Sequence, residues 1–178
     1  MVWILGLLVL VAGTYCVGYF LPQTLTGSSE KSVVYPPEQV FAAVMDAKNF
    51  PVGADLTKQV EPLSETRWRE DIGTSTIEVE TVEAQSPGRV LRTYRDLKMP
   101  MTAVTEVLIA PSKTGSYIAM KTDITLVNGH VLAPVLRILM MVFRGADKGV
   151  EAYLGQLEKG LNQGLVPYVP PLADQAAE

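Results

Sequence analysis

The chain has 178 residues, 48% of them hydrophobic, and its 15 Lys and Arg against 19 Asp and Glu give a formal net charge of -4. That length fits one domain of ordinary size with an extra segment, and it leaves room for a sizeable core. The charge balance and the lack of any Lys/Arg run exclude a nucleic-acid footprint, and the single cysteine, Cys16, excludes an intramolecular disulfide and a zinc cluster.

Residues 1–21 are almost continuously apolar; the first charged side chain is Glu30. As a helix this stretch spans roughly 31 Å, the thickness of a bilayer's hydrocarbon core. Trp3 stands at one end and Tyr19 with Phe20 at the other, where interfacial aromatics belong. The expectation is a single-pass transmembrane helix in contact with the lipid bilayer. A cleaved signal peptide is the competing reading; the missing Lys or Arg ahead of the run and its length count against it. Lys31 is the one cation near either end, and counted on it alone the positive-inside rule places the rest of the chain in the cytoplasm.

Residues 22–30, PQTLTGSSE, read as a short polar linker, and the domain is expected over 31–163. KSVVY reads as a strand. Pro36 and Pro37 end it and pre-set a helix, with Glu38 in the first turn and Val40, Phe41 and Val44 on one face. Residues 47–56 are turn-rich, with at most a short second helix. From 57 to 127 the texture is strand-like: TKQVEPL, ETRWREDI, STIEVETVEA, GRVLRTYRDL, TAVTEVLIA and GSYIAMKTDITLV, separated by turn signals such as Pro87-Gly88 and residues 111–115. The last run is clearest, because Ile118, Met120, Ile124 and Leu126 alternate with Lys121, Asp123 and Thr125, as in a half-buried antiparallel strand. Glu78, Glu80 and Arg89 are expected to face water.

Helix returns after Asn128-Gly129. Residues 131–143, VLAPVLRILMMVF, hold one charge, Arg137, and are apolar nearly all round. One face, Leu132, Val135, Leu136, Leu139 and Phe143, is expected to pack inward; the other, Val131, Ile138, Met141 and Val142, then needs a partner, either bilayer or a neighbouring subunit, with cover by surrounding loops as the alternative. Ala146, Val150, Tyr153, Leu154, Leu157 and Leu161 follow as a stripe at helical spacing, so 145–161 is an amphipathic helix that closes on a sheet. Residues 164–178 read as a Pro-rich extended tail.

This order resembles the helix-grip fold of the SRPBCC superfamily (START, Bet v 1-like and polyketide cyclase/dehydrase proteins). SVVYPPEQVFAAVMDAKNFP carries the likeness, through Pro36, Pro37, Glu38, Val40, Phe41, Asp46, Phe50 and Pro51; RWRE around Trp68 and YLGQLEKGL add to it. The Trp that often follows that turn is replaced by Val52-Gly53-Ala54. The resemblance implies an α+β fold, with a curved antiparallel sheet of about six or seven strands wrapped on a long C-terminal helix. It also implies an apolar cavity for a lipid, isoprenoid, polyketide or pigment-like ligand. The candidate lining residues are Trp68, Tyr94, Ile118, Met120, Leu136 and Met140, with ordinary core packing as the alternative for each.

Chemistry is thin. No nucleophile stands in a Gly-x-Ser-x-Gly elbow, Cys16 is in the apolar helix, and no metal-ligand spacing or phosphate loop occurs. No catalytic residue, metal or cofactor is expected. His130, the one histidine, reads as a turn or capping residue, with a general base as the lesser alternative. Arg92, Tyr94 and Asp96 share one face of a strand, either as polar anchors inside the cavity or on the outer sheet face. Three functions follow: a membrane-anchored binder of an apolar small molecule without covalent chemistry, an accessory subunit of a larger membrane complex, and, behind both, a cyclase- or dehydratase-like enzyme using His130, Tyr94 or Asp96.

Overall fold

The computed structural model describes residues 2–127 and 129–166, leaving aside the side chains at 2, 4, 5 and 7–11. Helix α1 (Val2–Phe20) leads after three residues into strand β1 (Thr24–Val33). Helix α2 (Pro37–Met45) and a 3-10 turn (Ala54–Leu56) follow. Then come β2 (Gln59–Pro62), β3 (Arg67–Asp71), β4 (Thr76–Gln85), β5 (Arg89–Asp96), β6 (Met101–Ser112) and β7 (Gly115–Leu126). Helices α3 (Ala133–Val142) and α4 (Gly145–Asn162) close the described chain.

The strands form one sheet in the order β1-β7-β6-β5-β4-β3-β2, every neighbouring pair antiparallel. A register shift between Thr81 and Glu83 marks a bulge in β4, a device that bends a strand and increases its twist. β1 and β2 are the two edges, and α2 with the 3-10 turn carries the chain from one to the other. α4 lies across the concave face, burying Ala146, Val150, Tyr153, Leu154, Leu157 and Leu161, the stripe read from the sequence. The main core joins this stripe to Val40 and Val44 of α2, Phe50, Val90, Val107, Ile109, Ile118 and Met120. Burying side chains of this kind stabilises the fold by about 1.5–3 kcal/mol each. This is the α+β helix-grip arrangement.

Glycine allows α4 its closest approaches. A Cβ at Gly27 of β1 would collide with the backbone of Ala146 and Asp147, and one at Gly160 with the Phe50 ring. Phe50 is 1% exposed, so the turn after α2 is wedged under the end of α4.

Two expectations need correction. Residues 22–30 are not a linker, because β1 begins at Thr24 and pairs with β7 from Thr24↔Thr125 to Val33↔Ser116. The polar Thr, Gly and Ser side chains suit an edge strand whose order comes from its ladder with β7 rather than from its own propensity. The inward face of 131–143 is also misassigned. Leu132, Val135, Leu139 and Phe143 are exposed, whereas Arg137 is 0% exposed along with Ala133. Arg137 donates to the carbonyl of Leu126 at 2.7 Å and to that of Tyr19 at 3.4 Å.

α1 is a 19-residue helix whose sequence contains no charged residue. Among the described residues, no helix is long and apolar enough to cross a membrane. Of the proposed tail, residues 167–178 lie outside the described residues.

Candidate binding site

Period-two alternation on β5 points Val90, Arg92, Tyr94 and Asp96 to the concave face, all of them buried. The three polar residues therefore sit under α4 and not on the outer sheet face. Arg92 donates to the Val44 carbonyl, to the Tyr153 hydroxyl at 3.5 Å and to Thr81 Oγ1 at 3.4 Å. Its guanidinium carbon lies 5.0 Å from the centroid of the Trp68 ring. A buried cation is tolerated when its donors are filled and an aromatic face lies beside it; here one carbonyl, two hydroxyls and an indole do this.

Beyond Trp68 stands Glu70, 0% exposed. Its Oε1 accepts from Trp68 Nε1 at 2.8 Å and from the Val52 amide at 2.9 Å; its Oε2 accepts from the Gly53 amide at 2.8 Å and from Thr57 Oγ1 at 3.0 Å. One carboxylate thus fastens the turn after α2 to β3. Asp96 is similarly occupied. It accepts from Ser75 Oγ and from the amides of Lys98 and Met99, both amides at 2.8 Å, which pins the β5–β6 turn.

Between α4 and the middle strands lies a cavity of about 150 Å³. Its apolar wall includes Val52, Ile77, Met101, Met120, Ile124 and Val150. Its polar lining residues are Tyr94, Tyr153, Thr102, Thr105 and Thr122, the last two with hydroxyls 2.7 Å apart, together with Asp96, whose carboxylate is already engaged by Ser75 and two backbone amides. Burial pushes the Tyr94 phenol up to about 12, an effect the nearby Arg92 charge partly offsets. Burial raises Tyr153 too, against the same opposing charge. Both phenols therefore stay protonated at neutral pH and can donate or accept a hydrogen bond without carrying charge. Gly149, exposed on the first turns of α4, is among the lining residues, and a Cβ there would meet open space.

The sequence candidates divide. Tyr94 and Met120 line the cavity. Ile118 lies in the main core, and Trp68 belongs to a smaller cluster with Val79 and Tyr94. Leu136 and Met140 ride on α3 away from the cavity wall; Met140 Sδ packs near Gly145. Val131, Met141 and Val142 are exposed, as are Trp3, Tyr19 and Phe20, and Ile138 is half-buried. His130 Nδ1 accepts from the Leu132 amide at 3.2 Å, a local turn contact. The cavity groups that sequence reasoning missed are Thr105, Thr122 and Tyr153. The two threonines fall in phase with the buried residues Val107 and Ile109 on β6 and Ile118 and Met120 on β7, so the period-two pattern was the available signal. Among the described residues, no group of three or more His, Cys, Asp or Glu side chains is placed to hold a metal ion.

No family model matches the chain, and no curated protein matches it in sequence. Solved structures do match in fold. An uncharacterised protein from Rhizobium leguminosarum superposes with a TM-score of 0.58 at 14% identity, over 79% of this chain and 95% of the other. A protein from Thermus thermophilus gives 0.58 at 18% identity, over 76% and 95%. The di-domain ARO/CYC StfQ of the steffimycin biosynthetic pathway gives 0.57 at 12% identity, over 77% of this chain and 50% of that one. The chain thus spans about half of that di-domain protein. At these identities the likeness is one of fold.

Proposed function

We propose that this chain is a membrane-anchored helix-grip domain of the SRPBCC kind that binds a small, mostly apolar molecule in the cavity between α4 and the sheet, without covalent chemistry. The observation that carries the reading is the cavity itself, mostly apolar walled, with the hydroxyl residues Tyr94, Tyr153, Thr105 and Thr122 and the hydrogen-bonded Asp96 in its lining. A space of about 150 Å³ holds roughly one aromatic ring, well below the 300–1,000 Å³ of sites for drug-sized molecules. The favoured ligand is therefore a single ring or chain end bearing one hydroxyl or carbonyl. A longer tail would leave past the exposed Gly149. We assign the anchor to α1 from its sequence: 19 uncharged residues at 1.5 Å rise give about 29 Å, close to the hydrocarbon thickness of a bilayer. Eight of its side chains lie outside the described residues, among which no helix qualifies as spanning. The domain would then sit where apolar ligands partition.

Phenol, as a one-ring probe, tests the reading by isothermal titration into the full chain in phosphatidylcholine nanodiscs. Empty nanodiscs give the background. Saturable one-to-one binding that Gly149→Phe reduces at least tenfold is the expected result. Binding no greater than to empty nanodiscs, or unchanged by Gly149→Phe, would sink the proposal. Because a Cβ at 149 meets open space, the variant adds a ring at the cavity lining without disturbing packed atoms.

A further inference from the structure

The outer face of α3 is an exposed apolar surface that the fold does not use. Val131, Leu132, Val135, Leu139, Met141, Val142 and Phe143 are all exposed, between 39% and 68%. Exposed apolar residues scattered singly need no explanation, but a contiguous patch does. None of these side chains carries a hydrogen-bonding group. Charge returns at once beyond the helix, with Arg144, Asp147 and Lys148.

The position of α3 is fixed by α1. A Cβ at Gly18 would collide with the Pro134 carbonyl, so the two helices touch backbone to backbone within the last turn of α1. Arg137 adds a second tie. Its guanidinium reaches the Tyr19 carbonyl, one of the last of α1, and the Leu126 carbonyl that ends β7. A cation at a helix C-terminus is favourable because the final carbonyls carry partial negative charge. α1 is thus clamped to the domain and is no loose tether. The exposed residues Val17, Tyr19 and Phe20 of α1 extend the same apolar surface.

We infer that α3 is a second membrane contact, lying in the interfacial layer of the bilayer beside the end of α1 with its Val135, Leu139 and Val142 side turned to the acyl chains. This rests on the reading of α1 as a membrane anchor. If α1 spans, Gly18 lies at the depth of the interface and carries Pro134 with it. At ten residues α3 is about 15 Å long, too short to span. An apolar face that lies in the interface is the behaviour of monotopic helices. Lipid is favoured over a protein partner because a protein interface of this size carries hydrogen bonds that set its register, and this face offers no side chain to make them. α3 leads directly into the first turns of α4, where the exposed Gly149 lines the cavity, so the same contact would bring that end of the cavity toward the membrane.

Nitroxide labelling tests this on the full chain in phosphatidylcholine vesicles. In a Cys16→Ser background, single cysteines replace Val17, Val135, Val142 and, on the exposed sheet surface, Val104. Relaxation by oxygen, which concentrates in lipid, is compared with relaxation by a water-soluble nickel chelate. The inference expects labels at 17, 135 and 142 to respond to oxygen and be shielded from nickel, and the label at 104 to do the reverse. Lipid exposure at 17 with nickel access at 135 and 142 overturns the inference and leaves the anchor intact. Nickel access at all four overturns the anchor too. Shielding of 135 and 142 from both reagents overturns it in favour of a protein covering α3. Gly18→Ile, which forces Pro134 off α1, is expected to raise nickel access at 142 at least threefold while leaving 17 in lipid.

Discussion

Replacing Glu70 by glutamine isolates the carboxylate that seats the turn after α2. Its two oxygens each serve two donors: Val52 N and Trp68 Nε1 on one, Gly53 N and Thr57 Oγ1 on the other. A glutamine amide keeps one acceptor and puts an N–H₂ where the other stood. Turned toward Val52 and Trp68, that N–H₂ would face two donors that cannot rotate. Turned toward Gly53 and Thr57, it faces one fixed donor and a hydroxyl that can rotate to accept. The second orientation wins, leaving the Gly53 amide orphaned. A buried unsatisfied donor costs about 1–3 kcal/mol, and the remaining bonds fall from charge-assisted to neutral strength. Relief of a buried negative charge offsets part of this, so the net loss is about 2–4 kcal/mol. For a domain of this size each kcal/mol lowers the Tm by roughly 2–4 °C.

The assay is thermal unfolding of the full chain in one detergent, followed by Trp68 fluorescence in a Trp3→Phe background. A fall of about 4–16 °C is expected, with Val52 displaced from the cavity wall and weaker phenol binding. A change below about 1 kcal/mol would show that the turn is held by Phe50 packing alone and would refute the reasoning.

Two glycines in α4 give opposite signs for one substitution. Gly155→Ala meets open space and is expected to stabilise by about 0.5–1 kcal/mol through helix propensity, while Gly160→Ala drives a methyl into Phe50 and is expected to destabilise by about 1–3 kcal/mol; equal shifts in Tm would contradict the packing described. An ultraviolet titration of the seven tyrosines is expected to leave Tyr94 un-ionised until about 12. Unfolded Tyr94 ionises at 10.0 and the folded residue near 12. This group's contribution is therefore complete below pH 10 and fades through the window between, at roughly 1.4 kcal/mol per pH unit. Stability that stays flat across that window in wild type but not in Tyr94→Phe would reverse the sign.

Most of the scaffold was legible because periodicity is a packing signal. The alternation on β7 and the 3.6-residue stripe on α4 each state which side chains meet in the core, and both sides of that contact were read from the sequence. β1 was only half legible, since TLTGSSE owes its strand to pairing with β7 and to Gly27 lying under α4. The site was harder. On β5 the concave face carries Arg92, Tyr94 and Asp96, so neither face of that strand reads as the apolar one. Which way it faced depended on filling those groups from α2, β4 and α4. Glu70 was hidden for the same reason: its four donors lie between 2 and 18 residues away, and nothing in RWRED marks one acid among the charges as buried.

Residues 131–143 show where the usual inference from hydropathy to burial breaks. Placing apolar side chains inside assumes water outside. Here the sole charge of α3 is the buried residue, because two carbonyl oxygens, at the ends of α1 and β7, lie within its reach. The apolar residues are then left outside by geometry: Ala133 and Pro134 are the small, flat surface that lets α3 approach Gly18, and larger side chains there would push it away. Turning α3 half a revolution would bury Leu139 and Val135 but expose the guanidinium and uncap the Tyr19 carbonyl. In water that rotation gains apolar burial at about 25 cal/mol per Å² and would be expected. Against hydrocarbon the gain vanishes, while exposing a charge to lipid costs several kcal/mol. If α1 spans a bilayer, as proposed above, the observed orientation is the one that such surroundings would select.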